Sequence, residues 1–262
     1  MTETGPVTSA GYDPTRPSVA RVYDYLLGGK DNFAADRALA DELLAQQPGI
    51  RRNARANRAF MQRAVRAVAA SGVRQFLDLG TGLPTSENVH EVARSAAGDA
   101  RVVYVDNDES VAAHARALLA PDPGVHFVLG DLRDPDAVLA RAGEWLDFAE
   151  PVAVLIISML HFVPDDGQAA DIVGRFAVRV PAGSYLVLSH WQYRQEDEEL
   201  TRQYAGAVHA LARRGEAQVA ALLPAGWAPV DPGLVPVTAW QPPGGQAAAE
   251  DVPFLGVVAR KR

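Results

Sequence analysis

The chain has 262 residues, 48% of them hydrophobic, and its 25 Lys and Arg stand against 32 Asp and Glu for a formal net charge of -7. That balance suits one sizeable α/β core and excludes a protein built mainly to coat a long nucleic acid, which needs a basic face. With no cysteine in the chain, disulfides, thiolate zinc sites and a cysteine nucleophile are excluded as well.

Residues 1–16 are polar and rich in Thr, Gly and Pro, and are expected to form a flexible tail. No leader-like basic and apolar segment occurs in Met1 to Gly11, and no apolar run reaches membrane-spanning length, so a cytoplasmic location without a membrane partner is expected. Residues 17–72 read as an N-terminal helical cap. Ser18 is placed to cap a helix in which Val19, Val22, Tyr23, Leu26 and Leu27 recur at helical spacing until Gly28-Gly29. A second helix is expected over about 36–47. A third is expected over 50–70, with Phe60, Met61, Val65 and Val68 as its apolar stripe.

From residue 73 to 262, strands and helices alternate. Strands are expected at 76–79, 102–105, 126–129, 152–157 and 185–189, with helices at 88–97, 110–119, 135–146 and 169–180. This rhythm predicts a parallel sheet. Val152 to Ile157 has no polar alternation, as a central strand covered on both faces requires, and it is expected beside the first strand. A long helix over 195–223, β segments at 227–230, 235–240 and 254–260, and a loop over 241–249 complete the pattern.

The chemistry gathers at the strand ends. Phe76-Leu77-Asp78-Leu79-Gly80-Thr81-Gly82 runs an apolar strand into a glycine turn, where the backbone can bend sharply and approach a ligand closely. Two further apolar runs end in acids, at Asp106 and Asp131. In open α/β sheets ligands sit outside the carboxyl ends of the strands. A carboxylate some 20 residues after the glycine turn is placed to accept ribose hydroxyls, which fits Asp106, with Asp131 then near an adenine amino group. The alternative for each acid is a helix N-cap, and Asp108 suits that role. A dinucleotide fingerprint needs a third Gly where this chain has Thr85, and Asn88 with Glu91 reads as a capping box that sets the next helix several residues beyond the glycines.

With these features in place, the sequence resembles the class I S-adenosylmethionine-dependent methyltransferases, and within them an actinobacterial S-adenosyl methyltransferase family formerly described as a domain of unknown function. The resemblance rests on Ser18 to Phe33, on Gly80 to Thr85 with Asn88 to Glu91, and on Asp231 to Val235. It implies a Rossmann-like, mostly parallel sheet of seven strands with the last antiparallel, helices on both faces, and S-adenosylmethionine as cofactor with S-adenosylhomocysteine as product. It further implies that Gly80 and Gly82 line the methionine part, that Asp106 holds the ribose, and that Asp131 and the Leu132 amide hold the adenine. Asp78, Thr81, Asn107 and Ser158, at the same strand ends, complete the expected contacts.

Arg21, Tyr25, Lys30 and Asn32 flank the Gly-Gly turn. They read either as a lid that meets the cofactor carboxylate with a cation, or as packing and surface ion pairing. The six arginines of the third helix read as a solvated face. His161, just after the fourth strand, is the expected general base for an oxygen or nitrogen nucleophile, unless proximity and desolvation alone suffice and it only orients the acceptor. His190 and Trp191 are expected on the same rim, Trp191 either contacting the acceptor or anchoring the long helix. No metal-ligand spacing appears. The acceptor is expected to be a small molecule and the assembly a monomer or homodimer. Two rival readings remain: a binding protein that keeps the pocket without catalysis, and a nicotinamide-dependent oxidoreductase, against which the missing third Gly weighs.

Overall fold

The computed structural model describes residues 13–85, 87–119, 122–194, 198, 202, 210–241 and 252–262. Three helices come first: α1 (Val19–Leu27), α2 (Ala34–Gln46) and α3 (Ile50–Ala70). The alternating part follows with β1 (Gln75–Leu79), α4 (Val89–Ala96), β2 (Arg101–Asp106), α5 (Glu109–Leu119), β3 (Val125–Leu129), α6 (Pro135–Ala142) and β4 (Val152–Ile157). A single 3-10 turn (Leu160–Phe162) leads to α7 (Asp166–Arg179) and β5 (Tyr185–Trp191); then come α8 (Glu216–Ala220), β6 (Trp227–Pro229), β7 (Val235–Pro236) and β8 (Phe254–Lys261).

One sheet runs in the order β3-β2-β1-β4-β5-β8-β6, with β7 paired to β8 off that path. The first five strands are mutually parallel. β8 is antiparallel to β5 and pairs β6 and β7 in the same sense. The strand beside β1 is β4, and the sheet has eight strands rather than seven because the two-residue β7 also pairs. Alternate residues of each inner strand feed two cores. Leu77, Val103, Val154 and Leu186 face α6 and α7, whereas Phe76, Val102, Ala153 and Val187 face α3 and α4. Covering both faces is what makes these strands read as unbroken apolar runs. A third, smaller core of Val22, Leu26, Leu39, Leu43 and Ala54 joins α1, α2 and the start of α3.

Several expected elements differ. Residues 210–215 are not helical, so the helix expected over 195–223 does not run through; of its described residues Glu198, Arg202 and Glu216–Ala220 are helical, and 195–197, 199–201 and 203–209 lie outside the described residues. The interruption has a cause: the Arg214 side chain is buried and donates to the carbonyls of Leu160, Val163 and Asp165, which draws its backbone onto the 3-10 turn. Strand pairing expected over 235–240 stops at Pro236, whose carbonyl accepts the amides of Ala239 and Trp240 in a turn. Of the loop expected over 241–249, only Gln241 is described. Within the expected tail, Asp13 to Arg16 form a turn held from below by Arg21, which donates to the carbonyls of Asp13 and Arg16. No helix among the described residues is long and apolar enough to cross a membrane.

Candidate active site

A cavity of about 600 Å³ opens at the carboxyl ends of the strands, roofed by α1 and α3. β1 brings Asp78, Gly80, Thr81 and Gly82 to it; β2 brings Asp106 and Asn107; β3 brings Asp131 and Leu132; the chain leaving β4 brings Ser158 and His161. The glycine turn works as the sequence suggests, with Gly80 at φ 77° and Gly82 at φ 67°, values that favour glycine. A side chain on Gly80 would also collide with Met159, so its absence admits that thioether against the turn. The Glu91 carboxylate accepts the Asn88 amide at 2.6 Å, the capping arrangement expected at the start of α4.

Asp106 is buried, and its carboxylate accepts the Gly82 amide at 2.8 Å and the Asp108 amide at 3.0 Å. Burial dominates over those bonds and pushes its pKa up to about 6. Asp78 is likewise raised to about 6 by burial, against the opposing hydrogen bond from Thr81 and the nearby Arg58, with Asp106 adding repulsion. Two adjoining carboxyls with raised pKa values thus share one buried corner of the cavity. Asp131 differs: the Arg133 guanidinium holds its pKa below the usual carboxylate range. Asp108 accepts the Ser110 amide at 2.7 Å, which caps α5, and it also accepts the Ser18 hydroxyl, which ties the front of α1 to the loop after β2.

Arg21, Tyr25 and Asn32 are not among the cavity-lining residues. Arg21 is buried and ion-paired with Asp36 at 2.8 Å, so its charge is neutralised inside the cap and does not face a cofactor carboxylate. The Tyr25 hydroxyl bonds Asp41 at 3.0 Å. Asn32 donates to Asp24 at 2.8 Å, and the same carboxylate accepts the Asp31 amide; a side chain on Gly29 would collide with it. The Gly-Gly turn is therefore packed around Asp24, and the polar residues of the opening motif fasten the cap together.

What sequence reasoning missed lies on α3. Arg58, which the sequence presents as part of a solvated face, lines the cavity, and its Nε is buried without a hydrogen-bond partner. Asn53 also lines it with Oδ1 unpartnered, while Asn57 joins the Tyr23 hydroxyl (3.1 Å) to Ser189 (2.6 Å), whose Oγ accepts the Ser158 amide at 3.0 Å. An i, i+4 spacing of Asn53 and Asn57 was the available signal for one polar edge on an otherwise apolar inner face, whereas Arg58, next in the chain, falls about 100° round the helix and gave no such signal.

His161 is buried at 6% exposure, and its Nδ1 has no partner. Burial, then the proximity of His190 and Arg214, holds its pKa well below the ordinary value, so the imidazole is neutral at physiological pH. His190 does not lie on the rim. β5 extends through Trp191, pairing His190 with Leu255 and Trp191 with Phe254, and the His190 ring is buried between the Trp191 carbonyl and Arg214 at 3.2 Å. Trp191 does line the cavity.

A strand order of 3-2-1-4-5 with a terminal antiparallel strand, glycines and acids at the ends of β1 and β2, and a roofed cavity define a Rossmann-like protein built around a nucleoside cofactor rather than a dinucleotide. The family model described as S-adenosyl methyltransferase matches residues 7–262, and the chain belongs to that family of S-adenosylmethionine-dependent methyltransferases. Two crystal structures agree. A DUF574 family protein from Streptomyces avermitilis MA-4680 is 38% identical over 95% of this chain and 99% of its own, with a TM-score of 0.89. A protein from Thermobifida fusca YX described as a candidate methyltransferase is 37% identical over 95% of this chain and 96% of its own, with a TM-score of 0.88. Human N-acetylserotonin methyltransferase in complex with SAM shares the fold at 18% identity over 94% of this chain and 63% of its own, with a TM-score of 0.50. A comparison with curated proteins found no significant match. The residues present fit the family's cofactor: two carboxyls raised by burial, an unpartnered guanidinium nitrogen and a turn with glycine at Gly80 and Gly82 meet in one cavity.

Proposed function

We propose that this protein methylates an oxygen or nitrogen of a small-molecule acceptor, and that the cavity holds cofactor and acceptor side by side along the strand ends. The carrying observation is the continuity of that one cavity from Asp78 and Asp106 to His161 and Trp191. On the β1–β3 side, Asp106 accepts the ribose hydroxyls, Asp131 and the Leu132 amide take the adenine, and Asp78 receives the ammonium of the methionine part. Arg58, beside Asp78, meets its carboxylate, the role that Arg21 cannot fill from within the cap. The bound cofactor supplies an electrophilic methyl group on a sulfonium.

His161 accepts the proton that the nucleophile sheds. A neutral imidazole of low pKa is a weak base toward a resting hydroxyl, but the proton becomes strongly acidic as the new bond to carbon forms, so proton transfer late in the step remains downhill. Balance is then complete: the nucleophile gains the methyl group, the carbon–sulfur electron pair stays on sulfur, and the proton moves to His161. Parallel calorimetric titration with S-adenosylmethionine, S-adenosylhomocysteine and NAD tests the reading. Binding of the first two without NAD is expected, and NAD binding alone overturns it.

A further inference from the structure

The two halves of the cavity differ in a way that specifies the acceptor. Every carboxylate lining it among the described residues, Asp78, Asp106, Asp108 and Asp131, sits on the β1–β3 side. Because the sheet order places β4, β5 and β8 on the opposite side of β1 from β2 and β3, the other half is walled by what those strands carry. There the lining is Phe162, Trp191, Phe254, Leu211 and His161, with Asn53 above. Asn53 stands one turn before Asn57 on α3, and Asn57 bonds Ser189 of β5. The His161 ring lies 4.2 Å from the Phe162 ring and 6.3 Å from that of Phe254, so an aromatic corner surrounds it. Among the described residues no carboxylate or ammonium lines this half; the guanidiniums that line the cavity lie toward the other half, with Arg58 donating to Asn88 ahead of α4, Arg133 paired with Asp131 and Arg16 two residues before Ser18, which bonds Asp108, while the guanidinium of nearby Arg214 is already engaged by Asp166 at 2.7 Å and three carbonyls.

Two polar atoms in this half are unpartnered, His161 Nδ1 and Asn53 Oδ1. A buried polar atom left without a partner is costly; Asn53 Oδ1 accepts, and the His161 nitrogen accepts in one tautomer and donates in the other, so a ligand bearing a hydroxyl or N–H for them is selected strongly over one that has none. Neutrality of the imidazole matters here as well: one ring nitrogen carries a proton and the other accepts. We propose that this half of the cavity binds an uncharged, planar aromatic acceptor bearing a hydroxyl or N–H, which is donated to His161 or Asn53. Aromatic walls favour a flat ring over an alicyclic one, the absence of countercharge excludes carboxylates and amines that ionise, and the orphaned polar atoms require the hydroxyl or N–H. The inference rests on the methyltransferase reading of the same cavity and adds its substrate class.

The test uses the full chain saturated with S-adenosylhomocysteine and four probes: 2-naphthol, naphthalene, 2-naphthoate and trans-decalin-2-ol, titrated by calorimetry with Trp fluorescence as a second readout. 2-Naphthol is expected to bind at least about tenfold more tightly than each of the others, a gap on the scale of one buried hydrogen bond. His161→Phe is expected to bring 2-naphthol down toward naphthalene while S-adenosylhomocysteine binding stays intact. Asn53→Ala serves as the second variant should the first fail to fold. Equal or tighter binding of 2-naphthoate or trans-decalin-2-ol, no saturable binding of 2-naphthol, or a 2-naphthol preference unmoved in both variants overturns the inference with the cofactor reading standing. Failure of S-adenosylhomocysteine itself to bind overturns both.

Discussion

Asp78 offers the sharpest quantitative test. Its carboxyl is raised to about 6 by burial in the ligand-free cavity. If Asp78 receives the cofactor's ammonium as proposed, the ammonium favours the ionised form, so binding selects the carboxylate and lowers that pKa. At pH 8 Asp78 is ionised before the ligand arrives. At pH 5, one unit below its pKa, only about a tenth of the molecules carry the carboxylate, and this group alone is expected to lower affinity for S-adenosylhomocysteine about tenfold, or about 1.4 kcal/mol, with any share of Asp106 added to it. Binding at pH 6 should release about half a proton from this group, readable by calorimetry in buffers of different ionisation enthalpy. Asp78→Asn should bind more weakly at pH 8 and lose this group's share of the slope, leaving that of Asp106, which is also raised to about 6. A wild-type affinity that is flat from pH 8 to 5, or an Asp78→Asn slope identical to wild type, refutes the reasoning. The same pKa makes a stability prediction of opposite sense. Folded values above the unfolded ones disfavour the folded state above about pH 6, and that penalty fades as pH falls toward about 4, so ligand-free protein gains from these two groups while the complex loses.

Asp106→Ala should weaken S-adenosylhomocysteine binding by about 1.5–3 kcal/mol, the scale of hydrogen bonds to a charged group, with the fold intact by circular dichroism; unchanged affinity removes its ribose role. Arg58→Met should cost a similar amount for S-adenosylhomocysteine yet leave 5′-methylthioadenosine, which lacks the amino-acid end, unaffected; equal losses for both ligands would point to general damage. Once an acceptor is found, His161→Phe should lower kcat by roughly 10²–10⁴ with the cofactor Kd unchanged. Because wild-type His161 is already neutral, the acid limb of kcat/KM for the cofactor should track the carboxyls near 6 and not the imidazole. Arg21→Met strands the buried Asp36 and should destabilise the fold by about 3–5 kcal/mol in denaturant titration, whereas a direct ligand role would appear chiefly as lost affinity.

The sheet and the acidic strand ends are legible in the sequence because both are local: an apolar run of five or six residues, then Gly or Asp where the run stops. Asp106 and Asp131 can be placed from the sequence alone, since the parallel register brings every strand end to one edge. What is not legible depends on contacts distant along the chain. Arg58 looks like its five neighbouring arginines until the roofing of the sheet by α3 singles it out. Arg21 looks like a free cation until Asp36, fifteen residues on, is seen beneath it. Residues 210–215 have a helical composition, yet the carbonyls gathered around Arg214 pull the chain out of that conformation; Gly215, just before α8, is the one local sign of a break.

The opening motif also has a physical logic that the lid reading does not capture. Ser18 donates its amide to Asp36 and its hydroxyl to Asp108, while Arg21 pairs with Asp36 and reaches Ser110 at 3.4 Å. Asp108 in turn donates its amide to Asp106, whose other oxygen holds the Gly82 amide. An unbroken series of hydrogen bonds therefore runs from α2 through the front of α1 to the Asp106 carboxylate and on to the glycine turn. Such a series fixes where the Asp106 oxygens point before any ligand arrives, so ordering them costs little at the moment of binding. The cap's polar residues thus act at one remove. Ser18→Ala should leave every proposed cofactor contact in place, and yet, by releasing Asp108, weaken S-adenosylhomocysteine binding by about 0.5–1.5 kcal/mol. Combined with Asp106→Ala the two losses should fall short of additivity, because the second variant deletes the group that the first mispositions. Strict additivity in that double-mutant cycle would mean that the cap stabilises the fold without tuning the site.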